Sequence, residues 1–191
     1  MERQDMATLG RDLGISERLF LTRQHGEQAY QVLKARLQAL NEGQALILLF
    51  PPDQLIDASF ADETIVRLGE KIASGDFGER SILLENLTED SIINLNSIIK
   101  FRQLKLAFLV IESDGTWQCI GQLEPSLQET LELLSHRNRL TAPELGDILQ
   151  LAVNTASNRL KRLYNLHLVR REYEITNQGL QYIYHFWQWK T

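Results

Sequence analysis

Three short apolar runs constrain the fold of this chain more than any other feature of its sequence. They are ALILLF at 45–50, SILLE at 81–85 and KLAFLVIE at 105–112. Their apolar cores do not alternate with polar residues, which is typical of strands covered on both faces of a sheet. Each run is also shorter than the roughly 18 apolar residues that a membrane-spanning helix requires. The runs therefore predict central strands of a layered α/β fold, and we expect no membrane segment.

The segments around these runs predict helices and two further strands. A short first strand is expected at Leu19–Leu21. The Asp-Gly pair in SDGT predicts a tight turn, after which TWQCIG at 116–121 returns antiparallel. Strands that alternate with helices favour right-handed crossovers and a mixed sheet with helices packed on it. Helical spacing of apolar residues is found over three segments, residues 26–41, 59–73 and 89–101.

Residues of the kinds used in catalysis or metal binding are few and scattered. Cys119 is the only cysteine, so no intrachain disulfide and no thiolate metal site can form. The four histidines lack a ligand spacing such as His-x-x-x-His, and no glycine-rich phosphate loop is present. The stretch MERQDMATLGRD at residues 1–12 lacks an apolar signal core, which favours the cytoplasm. We therefore expect no catalytic residues, no metal and no cofactor.

Charge is distributed unevenly along the chain. Residues 1–136 contain 12 Lys/Arg and 21 Asp/Glu, a net of −9, whereas residues 137–191 contain 8 and 4, a net of +4. The two values add to the −5 of the whole chain. A basic C-terminal part on an acidic body favours a polyanionic partner for that part.

The basic C-terminal part has the pattern of two helices followed by strands. Thr141-Ala142-Pro143-Glu144 is a capping box that predicts the start of the first helix. The second helix is expected over residues 153–165, with an apolar stripe on one side. LVRRE and YEIT then predict a tight two-stranded ribbon, and residues 176–187 predict a terminal amphipathic helix. The opposite side of the second helix is polar and cationic and carries Asn154, Thr155, Asn158, Lys161 and Arg162.

The segment LQLAVNTASNRLKRLYNLHLVRREYEITNQG resembles the winged helix-turn-helix of bacterial arsenic-repressor-like and multiple-antibiotic-resistance-regulator-like families. The resemblance implies that the second helix enters the major groove of double-stranded DNA with the five polar residues just named. It implies also that Arg170 and Arg171, in a very short wing, contact the DNA backbone. The matching positions are Leu149, Leu151, Thr155, Ser157, Leu160, Leu163, Leu168, Val169, Arg171, Tyr173, Ile175, Thr176 and Gly179.

The body of the chain resembles the STAS-like domain of unknown function, which is related to sulfate-transporter and anti-sigma-factor-antagonist folds. The resemblance rests on Ser59-Phe60-Ala61-Asp62-Glu63, on SILLEN at 81–86 and on the order of the elements. It implies a protein partner and, at Ser59, a serine whose phosphorylation switches partner binding. The alternative is a structural one, in which Asp57 or Ser59 caps a helix.

The sequence thus predicts a STAS-like α/β domain with a mixed sheet over residues 1–123 and a small α+β winged helix-turn-helix domain over residues 124–191. We expect a cytoplasmic, homodimeric transcriptional regulator that binds double-stranded DNA. An interaction adaptor whose winged helix binds protein is the alternative. The aromatic stretch YIYHFWQW either covers a dimer contact or packs on the winged helix.

Overall fold

The computed structural model describes residues 1–177 and 179–189, with Thr176 described by its backbone alone. The chain divides into two compact units, Met1–Gln122 and Leu123–Thr191. No helix among the described residues is both long and apolar enough to cross a membrane.

The first unit is built on a five-stranded sheet. Its strands lie in the order β1 (Glu2–Asp5), β3 (Ala45–Leu49), β5 (Ser81–Glu85), β6 (Ala107–Ile111) and β7 (Trp117–Gly121). The first four run parallel to one another, and β7 runs antiparallel to β6. The three central strands are the three apolar runs, and they are almost entirely buried. This confirms the predicted mixed sheet. Two further short strands of the unit, β2 (Leu19–Phe20) and β4 (Leu55–Ile56), lie outside this sheet.

Helices cover this sheet and connect its parallel strands. The predicted helix over 59–73 is one continuous helical segment that contains a π-helical turn, Asp62–Val66. At this turn Thr64 Oγ1 donates to the carbonyl of Gly26 at 3.0 Å, in a buried contact. A Cβ on Gly26 would lie 2.8 Å from Glu63 Cβ, so the glycine allows the two helices to approach. The helices of the unit are α1 (Met6–Asp12), α2 (Arg23–Ala39), α3 (Ala58–Ala61), α4 (Arg67–Ala73) and α5 (Glu89–Phe101).

The strand predicted at Leu19–Leu21 is present as β2, but the prediction that it is the first strand of the chain was wrong. The first strand of the main sheet is β1, whereas β2 pairs only with β4 in a separate two-stranded sheet. The residues Glu2–Asp5 are polar and give no strand pattern, because β1 is an edge strand held by its backbone pairing with β3.

The described residues of the second unit form three helices and a three-stranded sheet, whose strand order is β8 (Arg139–Thr141), β10 (Gly179–Phe186) and β9 (Val169–Thr176). β9 and β10 form one long antiparallel hairpin, paired from Val169↔Phe186 to Thr176↔Gly179. The elements of the unit are α6 (Pro125–Arg137), β8 (Arg139–Thr141), α7 (Ala142–Leu149), α8 (Val153–Asn165), β9 (Val169–Thr176) and β10 (Gly179–Phe186).

Two predictions for the C-terminal part were wrong. LVRRE and YEIT do not pair with each other, because they lie together in the single strand β9. The expected terminal helix is instead β10, whose residues Leu180, Tyr182, Tyr184 and Phe186 alternate along one face of the strand. The hairpin is therefore long, not short. Beyond it Trp187 and Trp189 are buried, and the Trp189 ring lies 5.4 Å from that of Phe186.

Candidate functional site

Helix α8 has two faces of opposite character. Ala156, Leu160 and Leu163 form its apolar stripe and are completely buried. The opposite face is exposed along the length of the helix and carries all five polar residues singled out from the sequence, Asn154, Thr155, Asn158, Lys161 and Arg162. The fold thus brings these five side chains together on one solvent-facing surface.

The turn that precedes α8 sets its direction relative to α7. The predicted capping box at the start of α7 is confirmed, since Thr141 accepts from the Glu144 amide while Glu144 accepts from the Thr141 amide. Helix α7 ends at Leu149, and the capping residue Gln150 adopts a left-handed conformation with φ 54°. The Leu151 amide then donates to the Gly146 carbonyl at 2.9 Å. A Cβ on Gly146 would lie 3.0 Å from the Leu151 carbonyl oxygen, so a glycine there permits the tight turn.

The cations of α8 differ in their pairing. Arg162 makes a bidentate ion pair with Glu124, with one oxygen at 2.8 Å. This hydrogen bond lowers the pKa of Glu124 and raises that of Arg162, although both side chains are exposed. Arg159 lies off the exposed face and pairs with Glu129 at 2.9 Å. Lys161 has no hydrogen-bond or ion-pair partner among the described residues. Lys161 is thus the cation on this face that is available without breaking a contact.

Arg171 connects the β9–β10 hairpin to α8. Its guanidinium carbon lies 4.0 Å from the ring centre of Tyr164 on α8 and 4.3 Å from that of Tyr182 on β10. It also donates to the hydroxyl of Tyr184, whose pKa is raised by burial. The sequence did not predict this stack, because Tyr164 is distant along the chain from Tyr182 and Tyr184, and Arg171 meets them only after the hairpin pairs.

Arg170 lies on the other face of β9 and is half-buried. Its guanidinium carbon is 5.8 Å from the centre of the Trp187 ring, and its nearest carboxylate is that of Glu172 at 3.9 Å. These contacts are long, and 37% of the side chain remains exposed. Arg170 is therefore the hairpin arginine with the freer guanidinium.

A cleft of about 280 Å³ lies between the starts of α7 and α8 and the outer half of β10. Strand β8 pairs only with residues 183–185 of β10, so the outer half of β10 has β9 as its one strand neighbour among the described residues. The cleft has polar and aromatic walls, formed by Ala142, Pro143, Val153, Asn154, Ser157, Gly179, Leu180, Gln181, Tyr182 and Tyr184.

The outer half of the hairpin exposes an apolar face. Tyr173 lies opposite Tyr182 and Ile175 lies opposite Leu180, so the four side chains share one face of the sheet. All four are exposed, and Ile175 is 84% exposed. The intervening Glu174 points to the opposite face and is also exposed. Sequence reasoning missed this surface because it assigned Leu180 and Tyr182 to a helix.

Ser59 is the second residue of α3. Asp57, not Ser59, caps this helix, since Asp57 Oδ1 accepts from the Phe60 amide at 2.7 Å. Ser59 is half-buried, and its hydroxyl has no hydrogen-bond partner among the described residues. The nearby Asp62 and Glu63 are engaged by arginines, Arg23 contacting both.

No group of three His, Cys, Asp or Glu side chains in the described part of the chain is arranged to hold a metal ion. Burial raises the pKa of the Cys119 thiol to about 12, so it stays protonated at neutral pH.

No protein-family model matches this chain, and no curated protein matches it significantly.

Proposed function

We propose that the chain is a DNA-binding transcriptional regulator that reads double-stranded DNA with α8 of a winged helix-turn-helix domain. The observation that carries the proposal is the exposed face of α8, where five polar or cationic side chains lie opposite a completely buried stripe. The order of elements in the second unit is helix, strand, helix, helix and hairpin, with β8 completing the sheet. This order is similar to that of winged helix-turn-helix domains and supports the same proposal.

The chemistry of the α8 face suits duplex DNA. An α-helix fits the major groove, where Asn side chains can pair with adenine edges and Thr can contact either base edges or a thymine methyl. Asn154, Thr155 and Asn158 occupy the leading half of α8, and Lys161 and Arg162 follow them. Amides and hydroxyls at the leading end would read bases, while the two cations would contact phosphates and fix the register.

The two hairpin arginines, Arg170 and Arg171, have different roles in this proposal. Arg170, with its freer guanidinium, contacts the DNA backbone. Arg171 is held between Tyr164 and Tyr182 and fixes the hairpin against α8, so we assign it a positioning role rather than the phosphate contact that the resemblance implied.

DNA binding is tested with the full chain and duplex DNA of mixed sequence, by fluorescence anisotropy over a range of salt concentrations. Replacing Lys161 and Arg162 by Ala should weaken binding about tenfold and flatten the salt slope by about 1.8, since each phosphate contact contributes about 0.9. Arg18 and Arg36 are two exposed cations of the first unit without an ion pair among the described residues. Their double Ala variant removes the same charge and should bind like wild type. If both variants weakened DNA binding equally, the loss of affinity would be due to net charge alone, and the proposal would be refuted.

A second candidate function is an interaction adaptor, which the exposed apolar face of the hairpin favours. Tyr173, Ile175, Leu180 and Tyr182 form a surface of the kind that protein partners cover. Absence of any binding to duplex DNA at low salt would favour this candidate.

The first unit is proposed as a STAS-like body that receives a protein partner, with Ser59 as its modification site. A phosphate on Ser59 would lie at the start of α3 but beside Asp57, so its charge would alter this surface. The Ser59→Glu and Ser59→Ala variants should recover different amounts of the native partner in a pull-down. Equal recovery would remove Ser59 from the proposal.

A further inference from the structure

Helix α5 carries an unpartnered apolar strip on its outer face. Ile93 is 60% exposed, and Phe101 is 89% exposed, the largest value for a large apolar side chain among the described residues. The two are eight residues apart with Ser97 midway, so all three lie along one face of the helix. The opposite face of α5 is buried through Leu95 and Ile99.

The residue in the middle of this strip, Ser97, is small, and its hydroxyl already has a hydrogen-bond partner. Ser97 Oγ donates to the Ile93 carbonyl at 2.7 Å within the same helix. The hydroxyl therefore needs no water, and its small side chain permits another helix to approach closely at this level.

The two ends of α5 carry opposite charge. Glu89 and Asp90 form the acidic first turn, whereas Lys100 and, just beyond the helix, Lys105 lie at the other end. All four side chains are exposed, and none has an ion-pair partner among the described residues. By contrast Arg102, between the two lysines, is held by Asp62 and Glu70.

We infer that a second copy of this chain docks on α5, so that two α5 helices pack antiparallel about a two-fold axis at Ser97. In that arrangement Ile93 of each copy meets Phe101 of the other, because the two residues are equally distant from Ser97 along the helix. The acidic first turn of each copy then lies beside the lysine end of its partner. A two-fold contact is self-complementary by nature. Helix α5 meets that requirement because it has acidic residues at its start, Ser97 midway between two apolar residues, and lysines at and just beyond its end.

The orientation of α5 in the first unit leaves this face open. Asn96 Oδ1 accepts from the Gly121 amide of β7 at 2.9 Å, and Asn94 Nδ2 donates to the Ile56 carbonyl at 3.0 Å. These bonds fix the helix to β7 of the main sheet and to β4 of the two-stranded sheet. Because the helix is already rigid, binding costs little conformational entropy. The contact of one 13-residue helix nevertheless buries an area at the small end of the range for stable interfaces. The dimer should therefore dissociate in the micromolar range rather than be permanent.

The first test is sedimentation velocity of the full chain over a range of concentrations, without DNA. Wild type should shift from monomer to dimer, and Phe101→Asp should weaken association about 100-fold, since the contacts between Phe101 and Ile93 are lost on both sides of the two-fold axis. Ile175→Asp is a matched control, because it replaces an equally exposed apolar residue on the hairpin. A monomeric wild type overturns the inference, and so does dissociation by Ile175→Asp with Phe101→Asp unaffected, which would place the interface on the hairpin.

The second test uses charge exchange. A variant with Lys100→Glu and Lys105→Glu has two acidic ends, and a variant with Glu89→Lys and Asp90→Lys has two basic ends. Each should be monomeric alone, and an equimolar mixture should regain the dimer mass. Two folded variants that fail to associate when mixed would contradict the antiparallel arrangement. Because this test contains no DNA, its failure would leave the proposed DNA binding of α8 untouched.

A third test locates the axis. Ser97→Cys in a Cys119→Ala background should form a covalent dimer under mild oxidation, because a residue on a two-fold axis faces its own copy. Ala73→Cys, at an exposed helical position away from α5, should cross-link at least tenfold more slowly. Equal rates for the two cysteines would indicate random collision and refute the placement of the axis.

Discussion

Replacing Arg171 should loosen the hairpin from α8 without removing a DNA contact. The guanidinium lies 4.0 Å and 4.3 Å from two tyrosine ring centres and donates to a third tyrosine. A cation–π contact at a partly exposed site contributes about 0.5–1 kcal/mol, and a hydrogen bond contributes about 1 kcal/mol. Together the contacts stabilise the closed hairpin by about 2 kcal/mol. Arg171→Ala should therefore speed hydrogen exchange of the β9 and β10 amides about 30-fold if they exchange by local opening.

Arg171→Lys separates the two roles that the residue could have. Lysine keeps the charge that a phosphate contact needs, but its ammonium lacks the planar fork that stacks between two rings. We expect Arg171→Lys to lose most of the exchange protection while keeping the salt slope of DNA binding. The reasoning would be refuted if the hairpin amides kept wild-type protection in Arg171→Ala while the salt slope fell by about 0.9, since Arg171 would then be a phosphate ligand.

Three further predictions concern other contacts. Glu124→Gln should strengthen DNA binding severalfold in an anisotropy assay, because it frees Arg162. Glu129→Gln is the control and should change binding little, because it releases Arg159, which lies off the exposed face of α8. Thr64→Val should lower the free energy of unfolding, measured in urea, by about 1 kcal/mol, because valine has a similar volume but cannot donate the buried hydrogen bond. Burial lowers the pKa of His185 below its ordinary 6.5, so the folded state binds its proton more weakly. The second unit should therefore lose stability as pH falls below about 6.5, and His185→Gln should flatten that dependence in thermal unfolding.

The sequence predicted most of the first unit because its strands and helices are encoded locally. The apolar runs at β3, β5 and β6 are strands covered on both faces, and the Asp-Gly turn returns the chain as β7. β1 could not be predicted in the same way. Its four residues contain no apolar side chain, and the strand exists only because β3 offers it an unpaired edge.

The exposed face of α8 could be predicted from the sequence, but its contacts with α6 and the hairpin could not. Buried Leu160 and Leu163 imply an exposed opposite face at helical spacing, and the structure exposes the five residues of that face. The pairing of Arg162 with Glu124 spans 38 residues and depends on α6, so no local pattern in α8 signals it. A hairpin was predicted, but its second strand, β10, was assigned to a helix because aromatic residues fit both helices and strands, and only cross-strand pairing decides between them.

The charge of the second unit limits what kind of DNA binding α8 can support. Residues 123–191 contain 8 Lys/Arg and 7 Asp/Glu, so the unit defined by the fold carries a net of only +1 and the chain remains at −5. Long-range attraction to DNA is therefore weak, and one copy has few cations for phosphate contacts, with Arg162 already paired. Affinity would then depend on base contacts by Asn154, Thr155 and Asn158 and on two copies acting together. It follows that Phe101→Asp should weaken binding to a two-site duplex much more than to a single site, whereas variants of the α8 face should weaken both alike.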